Sequence, residues 1–299
     1  MNMKYWIYPL LLVLGASSYG VLSSIIKLAM REGFTAAEAV TSQYYMGFAI
    51  VVLLVIVFAR RVPKFGGGWT LVFAGLMTAT TGTVYGQAVQ HMPASLAVVM
   101  LFQFTWVGML LDSIIYRRLP TRVQLASLPF LLGGTVLAAG VIDVDLSSIP
   151  WQGWAWGMAS AFSFSAFLMI NQRQVEGMTT LTRLFYTSLF ATIFISIFQR
   201  PDIVWSGALF EQGLWKFGLL LGLLGIVAPI YLFAIAVPKV GGALASILSA
   251  MELPVAVIAA VVLVGETMTA LQVIGIFIIL IGIIFPTWVD SQKERTSAK

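Results

Sequence analysis

Ten apolar stretches follow one another along the chain, at about residues 6–27, 41–58, 69–90, 94–115, 122–141, 151–172, 180–198, 214–236, 241–263 and 269–288. A bilayer core of about 30 Å is crossed by about 20 apolar residues in a helix. The pattern therefore predicts an all-α polytopic membrane protein with ten transmembrane helices. The connections are short. The longest, about 199–213, holds Arg200, Pro201, Asp202 and Glu211. The tail from Asp290 to Lys299 is polar and is expected to fray.

Lys and Arg give this pattern a direction, because cytoplasmic loops carry the excess of both. Ten spans put both termini on one side. That side collects Lys4, Arg60, Arg61, Lys64, Arg117, Arg118, Arg122, Arg173, Arg183, Lys239, Lys293, Arg295 and Lys299. The other side holds Lys27, Arg31, Arg200 and Lys216, so the 17 cations divide 13 to 4. Both termini are expected in the cytoplasm, with the protein in the cell (inner or plasma) membrane.

Composition narrows the chemistry. The chain is 60% hydrophobic and 10% charged, where soluble domains run nearer a quarter charged. The net charge of +5 belongs to the loops and does not point to nucleic acid. With no cysteine and one histidine, disulfides, thiolate metal sites and thiol catalysis are excluded. An intramembrane enzyme would need a nucleophile with a base, or metal ligands, so an enzyme is not expected. The P-loop pattern is absent too. No cofactor and no metal are expected.

The chain also repeats itself. Residues 92–134 align without gaps on 240–282, so that Leu96 meets Leu244, Ala97 meets Ala245, Gln124 meets Gln272 and Gly134 meets Gly282. Five helices per unit is an odd number, so two units would sit in opposite orientation. Inverted repeats of this kind mark secondary transporters, with the site near the midplane between the halves. The units expected are 1–147, 148–290 and a cytoplasmic tail, 291–299. Internal duplication is compatible with a working monomer.

The run from Tyr231 to Ile284 resembles the second repeat of the drug/metabolite transporter superfamily, in its ten-helix EamA branch. Ala236 with Gly241-Gly242-Ala243, Pro254, Gly265-Glu266, Gln272, Gly275 and Gly282 carry the likeness, and Tyr19-Gly20 with Lys27 resembles the family's opening. The first repeat departs from it, with Trp106 at the proline position and Arg118 at the Glu position. The resemblance implies transport of metabolites or drugs, often amino-acid export, coupled to an ion gradient or facilitated.

Within the ninth stretch lie Glu252 and Pro254. A carboxylate in hydrocarbon must be neutralised or partnered. A proline frees the carbonyl four residues back, here that of Ala250. This helix is expected to face a cavity or bundle interior, with Glu252 binding substrate and serving as the proton or cation site. Pro229 and Pro254 interrupt adjacent helices, a pointer to a transport site and to gating; packing kinks are the plainer alternative. Tyr231 follows Pro229, and Ser249 shares a face with Glu252. In the first half, Tyr19, Thr81, Tyr85, Gln103 and Trp106 are candidate pocket residues, as is Ser163 in helix 6, although Ser and Thr more often serve helix packing. Gln43-Tyr44-Tyr45 is expected to anchor helix 2 at the outer interface. Glu266 is expected to cap or pair at the outer end of helix 9. Gly153-x-x-x-Gly157 and Gly218-x-x-x-Gly222 fit close contacts within the bundle.

The function expected is alternating-access transport of a small metabolite across the plasma membrane, with amino-acid export first. Cationic drugs, nucleosides or sugar derivatives are alternative substrates, and a membrane scaffold is the alternative of another class. The partners expected are a small-molecule substrate, the lipid bilayer and protons as coupling ion.

Overall fold

The computed structural model describes residues 3–59, 63–66, 68–92, 94–117, 119–140, 146–173, 178–200 and 202–297. Arg60, Arg61, Gly67, Arg118, Asp143, Asp145, Pro201 and Lys299 lie outside the described residues. All regular structure among the described residues is helical. Seven helical stretches are long and apolar enough to cross a membrane: Trp6–Arg31, Ala36–Ala59, Leu96–Tyr116, Trp151–Gln172, Thr180–Phe198, Trp215–Val240 and Gly242–Val264. Two shorter apolar helices cover Arg122–Ala138 and Ala270–Pro286. The helix Trp69–His91 is long enough, but Thr78, Thr80, Thr81, Thr83 and Gln87 make it more polar than the seven. Large apolar side chains such as Phe58, Ile114, Ile197 and Val262 point outward. Exposed tryptophans stand where helices begin, at Trp69, Trp151 and Trp215. Lipid is the solvent that suits such a surface. This is an integral membrane protein.

Several of these rods are broken. The first is α1 (Met3–Gly20) continued by α2 (Leu22–Arg31), and the second is α3 (Ala36–Leu54) with a π-helical end, Val55–Ala59. The second begins at Ala36, earlier than its apolar run suggests, because Thr35 and Glu38 form a capping box. Next come α4 (Trp69–His91), α5 (Ala94–Leu101), α6 (Phe104–Tyr116) and α7 (Arg122–Ala138). The rest is α8 (Trp151–Gln172), α9 (Thr180–Phe198), the short α10 (Asp202–Trp205), α11 (Trp215–Gly222), α12 (Ala228–Val240), α13 (Gly242–Ser249), α14 (Glu252–Ala259) and α15 (Ala270–Ser297). The polar tail does not leave the helix where fraying was expected. Gln292, Lys293, Glu294 and Arg295 favour helix, and α15 continues through them.

The breaks at 102–103 and 250–251 have the same hydrogen bonding. Gln103 N–H donates to Met100 O, and Met251 N–H to Leu248 O, at 3.2 Å each. Thr105 N–H donates to Phe102 O at 3.1 Å, and Leu253 N–H to Ala250 O at 3.3 Å. Each pair is 148 positions apart, the offset of the alignment. The causes differ. In the second half Pro254 withholds the N–H that Ala250 O would receive. In the first half there is no proline, and the Thr105 hydroxyl donates to Phe102 O at 3.0 Å. The same offset relates two capping boxes, Thr121 with Gln124 and Thr269 with Gln272. It also relates two left-handed residues after α6 and α14, Arg117 (φ 51°) and Gly265 (φ 77°).

Packing follows the small residues. Helix α7 lies along α15, where a side chain on Gly134 would meet Ile279 and one on Gly282 would meet Leu131. Helix α11 lies against α3 with Gly222 on the backbone of Gly47, and α4 lies against α9 with Gly75 on the backbone of Ala191. Both Gly-x-x-x-Gly pairs are spent inside the bundle: Gly153 and Gly157 face Met92 and Met100, and Gly218 and Gly222 face Met46 and Gly47. The long connection folds back, burying Ile203, Leu209 and Leu214 against Ile25, Phe34 and Met46.

Thr105→Val is expected to destabilise by about 1 kcal/mol, since Phe102 O loses one of its two donors. Ser249→Ala is expected to be neutral, because that buried hydroxyl has no hydrogen-bond partner. Thermal unfolding in detergent distinguishes the two; equal losses would contradict this account of the first break.

Candidate functional site

Between the two breaks lies a cavity of about 200 Å³. This is small beside the roughly 300–1,000 Å³ of ordinary ligand pockets. Helices from both halves of the chain contribute. From α1 and α2 come Tyr19, Gly20, Leu22, Ser23 and Ile26; from α3, Val40, Gln43 and Tyr44. Helix α4 supplies Thr78, Thr81, Gly82 and Tyr85. The first break contributes Val98, Leu101 and Phe102, and α8 contributes Phe164 and Phe167. Opposite them stand Gly225, in a π-helical segment (Leu223–Val227), and Glu252, Leu253 and Ala256 of α14.

Glycine sets how close these helices come. A Cβ on Gly20 would collide with the Glu252 carbonyl and come within 2.9 Å of Val255 Cβ. Bare backbone at Gly20 therefore lets α1 touch the second break, which brings Tyr19 beside Glu252. Gly82 leaves the space that the Tyr44 hydroxyl fills, and that hydroxyl donates to Thr78 O at 3.0 Å. Gly225 makes room for the Gln43 amide.

Some of the lining polar groups are already engaged. Thr78 donates to Ala74 O at 2.8 Å. Thr81 Oγ1 lies 2.8 Å from Met77 O and 2.9 Å from Ser163 Oγ. The Glu252 carboxyl, the Tyr19 and Tyr85 hydroxyls and the Gln43 amide have no protein hydrogen-bond partner among the described residues. Both phenols are within electrostatic reach of Glu252. Among the described lining residues Glu252 is the one carboxylate, and none is Lys, Arg or His.

At one end the cavity reaches toward the turn between α2 and α3. There Lys27 pairs with Glu266, and Arg31 Nη2 donates to Val264 O at 2.9 Å. Both links fasten α2 to the end of the ninth stretch. Aromatic rings back another part of the lining. Tyr19 contacts Phe164 and Phe233, each at 6.0 Å between centroids, Phe104 contacts Phe164 at 4.8 Å, and Phe167 contacts Phe233 at 6.4 Å.

Of the residues proposed from sequence, Tyr19, Thr81, Tyr85 and Glu252 line this cavity, and Ser163 stands behind Thr81. Four others lie elsewhere. Trp106 Nε1 donates to Gln103 Oε1 at 2.7 Å, and Gln103 Nε2 donates to Val99 O at 3.0 Å. Tyr231 is exposed on the outside of the bundle, and Ser249 is buried away from the cavity. Pro229 and Pro254 are buried just after irregular turns, at 223–227 and 250–251, whose neighbours Gly225 and Glu252 line the cavity. Gln43 and Tyr44, expected as interfacial anchors, turn inward instead; Tyr45 bonds Ser196 at 2.6 Å. Phe102, Phe164 and Phe167 had no distinguishing signal among 20 phenylalanines.

Residues 151–288, from α8 through most of α15, match the model of the EamA-like transporter family. Over that segment the chain is similar to the family. No curated protein matches the chain. One crystal structure is similar over 98% of this chain and 100% of its own, with a TM-score of 0.73 at 15% identity, a likeness of fold alone.

Gly20→Ala is expected to force α1 and α14 apart, lowering stability by about 1–3 kcal/mol and weakening ligand binding in the cavity. Gly86→Ala, with no atom within 4 Å of its added methyl, is expected to change neither. Melting temperature and ligand-induced stabilisation of the two variants provide the check.

Proposed function

We propose that this chain is a secondary transporter that carries a small amine-bearing metabolite, amino acids among the first candidates, across the plasma membrane by alternating access. The observation that carries the reading is the free carboxyl of Glu252. It lines a cavity at the break of a helix, inside the segment that matches a transporter family. A carboxyl held this way costs stability, and acids inside membrane spans mark substrate or ion pathways.

In this reading α4, α7 and α15 also cross, giving ten spans in two inverted halves. The paired breaks, capping boxes and left-handed ends at one offset support it. So does the reciprocal packing of Gly134 on Ile279 and Gly282 on Leu131, whose members exchange under the same offset. Other packed pairs exchange in the same way, as α3 on α11 corresponds to α9 on α4. The Lys and Arg distribution puts both termini in the cytoplasm, so the cavity mouth near the α2–α3 turn faces outward.

Transport then needs two changes. The ring cluster of Tyr19, Phe104, Phe164, Phe167 and Phe233 must part to open the cytoplasmic side. The helices around the mouth must close at the outer side. Glu252 holds either a proton or the substrate's ammonium group, so loading one releases the other. Such exchange makes one gradient drive the other, in either direction of net flux.

Counterflow of labelled amino acids and amines into liposomes holding the purified protein tests this at two pH values. Transient accumulation that depends on pH is expected for the wild type. Glu252→Gln is expected to cut the rate at least about tenfold and to flatten the pH dependence. A folded Glu252→Gln protein with unchanged rate and pH profile would overturn the coupling role.

A further inference from the structure

We propose that the cavity selects amines over the amino acids they derive from: its occupant is a compact organic monocation with an apolar or aromatic body and no carboxylate. The inference rests on the transport reading and narrows it.

Charge makes the first argument. Among the described lining residues Glu252 is the one carboxylate, and none of them is Lys, Arg or His. Three cations on the described helices have protein acceptors of their own. Lys27 is on Glu266, and Arg31 is on the Val264 carbonyl. Arg183, buried on α9, donates to Ile170 O at 3.2 Å. An ammonium group entering the cavity meets a carboxyl whose oxygens accept nothing from the described residues, and the pair forms charge-assisted hydrogen bonds. A zwitterion would bring a second carboxylate into the same 200 Å³ with no cation to receive it. Buried charges without partners are strongly disfavoured.

The remaining polar groups do not change this balance. Tyr19, Tyr85 and Gln43 offer neutral dipoles. These solvate a hydroxyl or carbonyl on the substrate but do not neutralise an anion. The walls favour the same class. Tyr19, Tyr85, Phe102 and Phe164 give the cavity aromatic surface, which attracts a cation through the ring faces and packs an apolar body.

The test uses the wild-type full chain in liposomes preloaded with unlabelled phenethylamine. Uptake of labelled phenethylamine is competed by three compounds sharing one ring and a similar chain: phenethylamine, phenylalanine and 3-phenylpropionate. Half-inhibition by phenylalanine is expected at a concentration at least about tenfold above that for phenethylamine, about 1.4 kcal/mol of discrimination. No inhibition is expected from 3-phenylpropionate. Glu252→Gln is expected to erase the preference for the amine. Phenylalanine competing as well as phenethylamine, or moving when phenethylamine does not, would overturn the selectivity and leave the transporter reading intact. Absence of counterflow for amines, amino acids, nucleosides and sugars alike, with a folded protein, would overturn both.

Discussion

A backbone carbonyl without a donor is costly in hydrocarbon, and helices exist in membranes because they leave none. The site of this protein is built where that rule is hardest to keep. Ala250 O cannot receive from Pro254, so the chain tightens and Leu253 supplies the N–H at 3.3 Å. The tightening separates α13 from α14 and places Glu252 at the first position after the break. Bare backbone at Gly20 meets the break directly, and Tyr19 follows into the cavity. Without the interruption, no other described lining residue would present a carboxylate there.

The close approaches around this point form one connected set. Gly20 seats α1 on α14, Gly82 admits the Tyr44 hydroxyl, and Gly225 admits Gln43. Each exchanges a side chain for proximity, the usual currency of helix packing in lipid, where apolar contact alone gives no preference for protein over bilayer. Five aromatic side chains from α1, α6, α8 and α12 converge into one ring cluster, three of which also line the cavity.

Much of this was legible in the residues. The apolar run lengths and the charge deficit fixed the membrane class. The isolated acid beside a proline marked the position of the cavity, with Tyr19, Thr81 and Tyr85 around it. What escaped did so for identifiable reasons. Gln43 and Tyr44 look interfacial if helix 2 starts at its first apolar run. The capping box starts it at Ala36, so Gln43 is seven residues in, about 10 Å along the axis. The first-half break carries neither proline nor glycine, and a threonine hydroxyl turning back on its own helix has no distinctive spacing. Trp106 and Gln103 satisfy each other, and no pattern of residue types announces that.

The two breaks share geometry but not chemistry, and that difference has a mechanical meaning. At Pro254 no N–H exists, so the bend in the second half is a permanent elbow. At the first break Trp106 carries an N–H, and Phe102 O is held instead by the backbone N–H and the hydroxyl of Thr105. The first break is held by hydrogen bonds that a regular helix could replace; the second is fixed by a missing donor. A pair of helices with matching breaks thus contains one joint fixed by covalent chemistry, bearing the acid, and one held by hydrogen bonds alone.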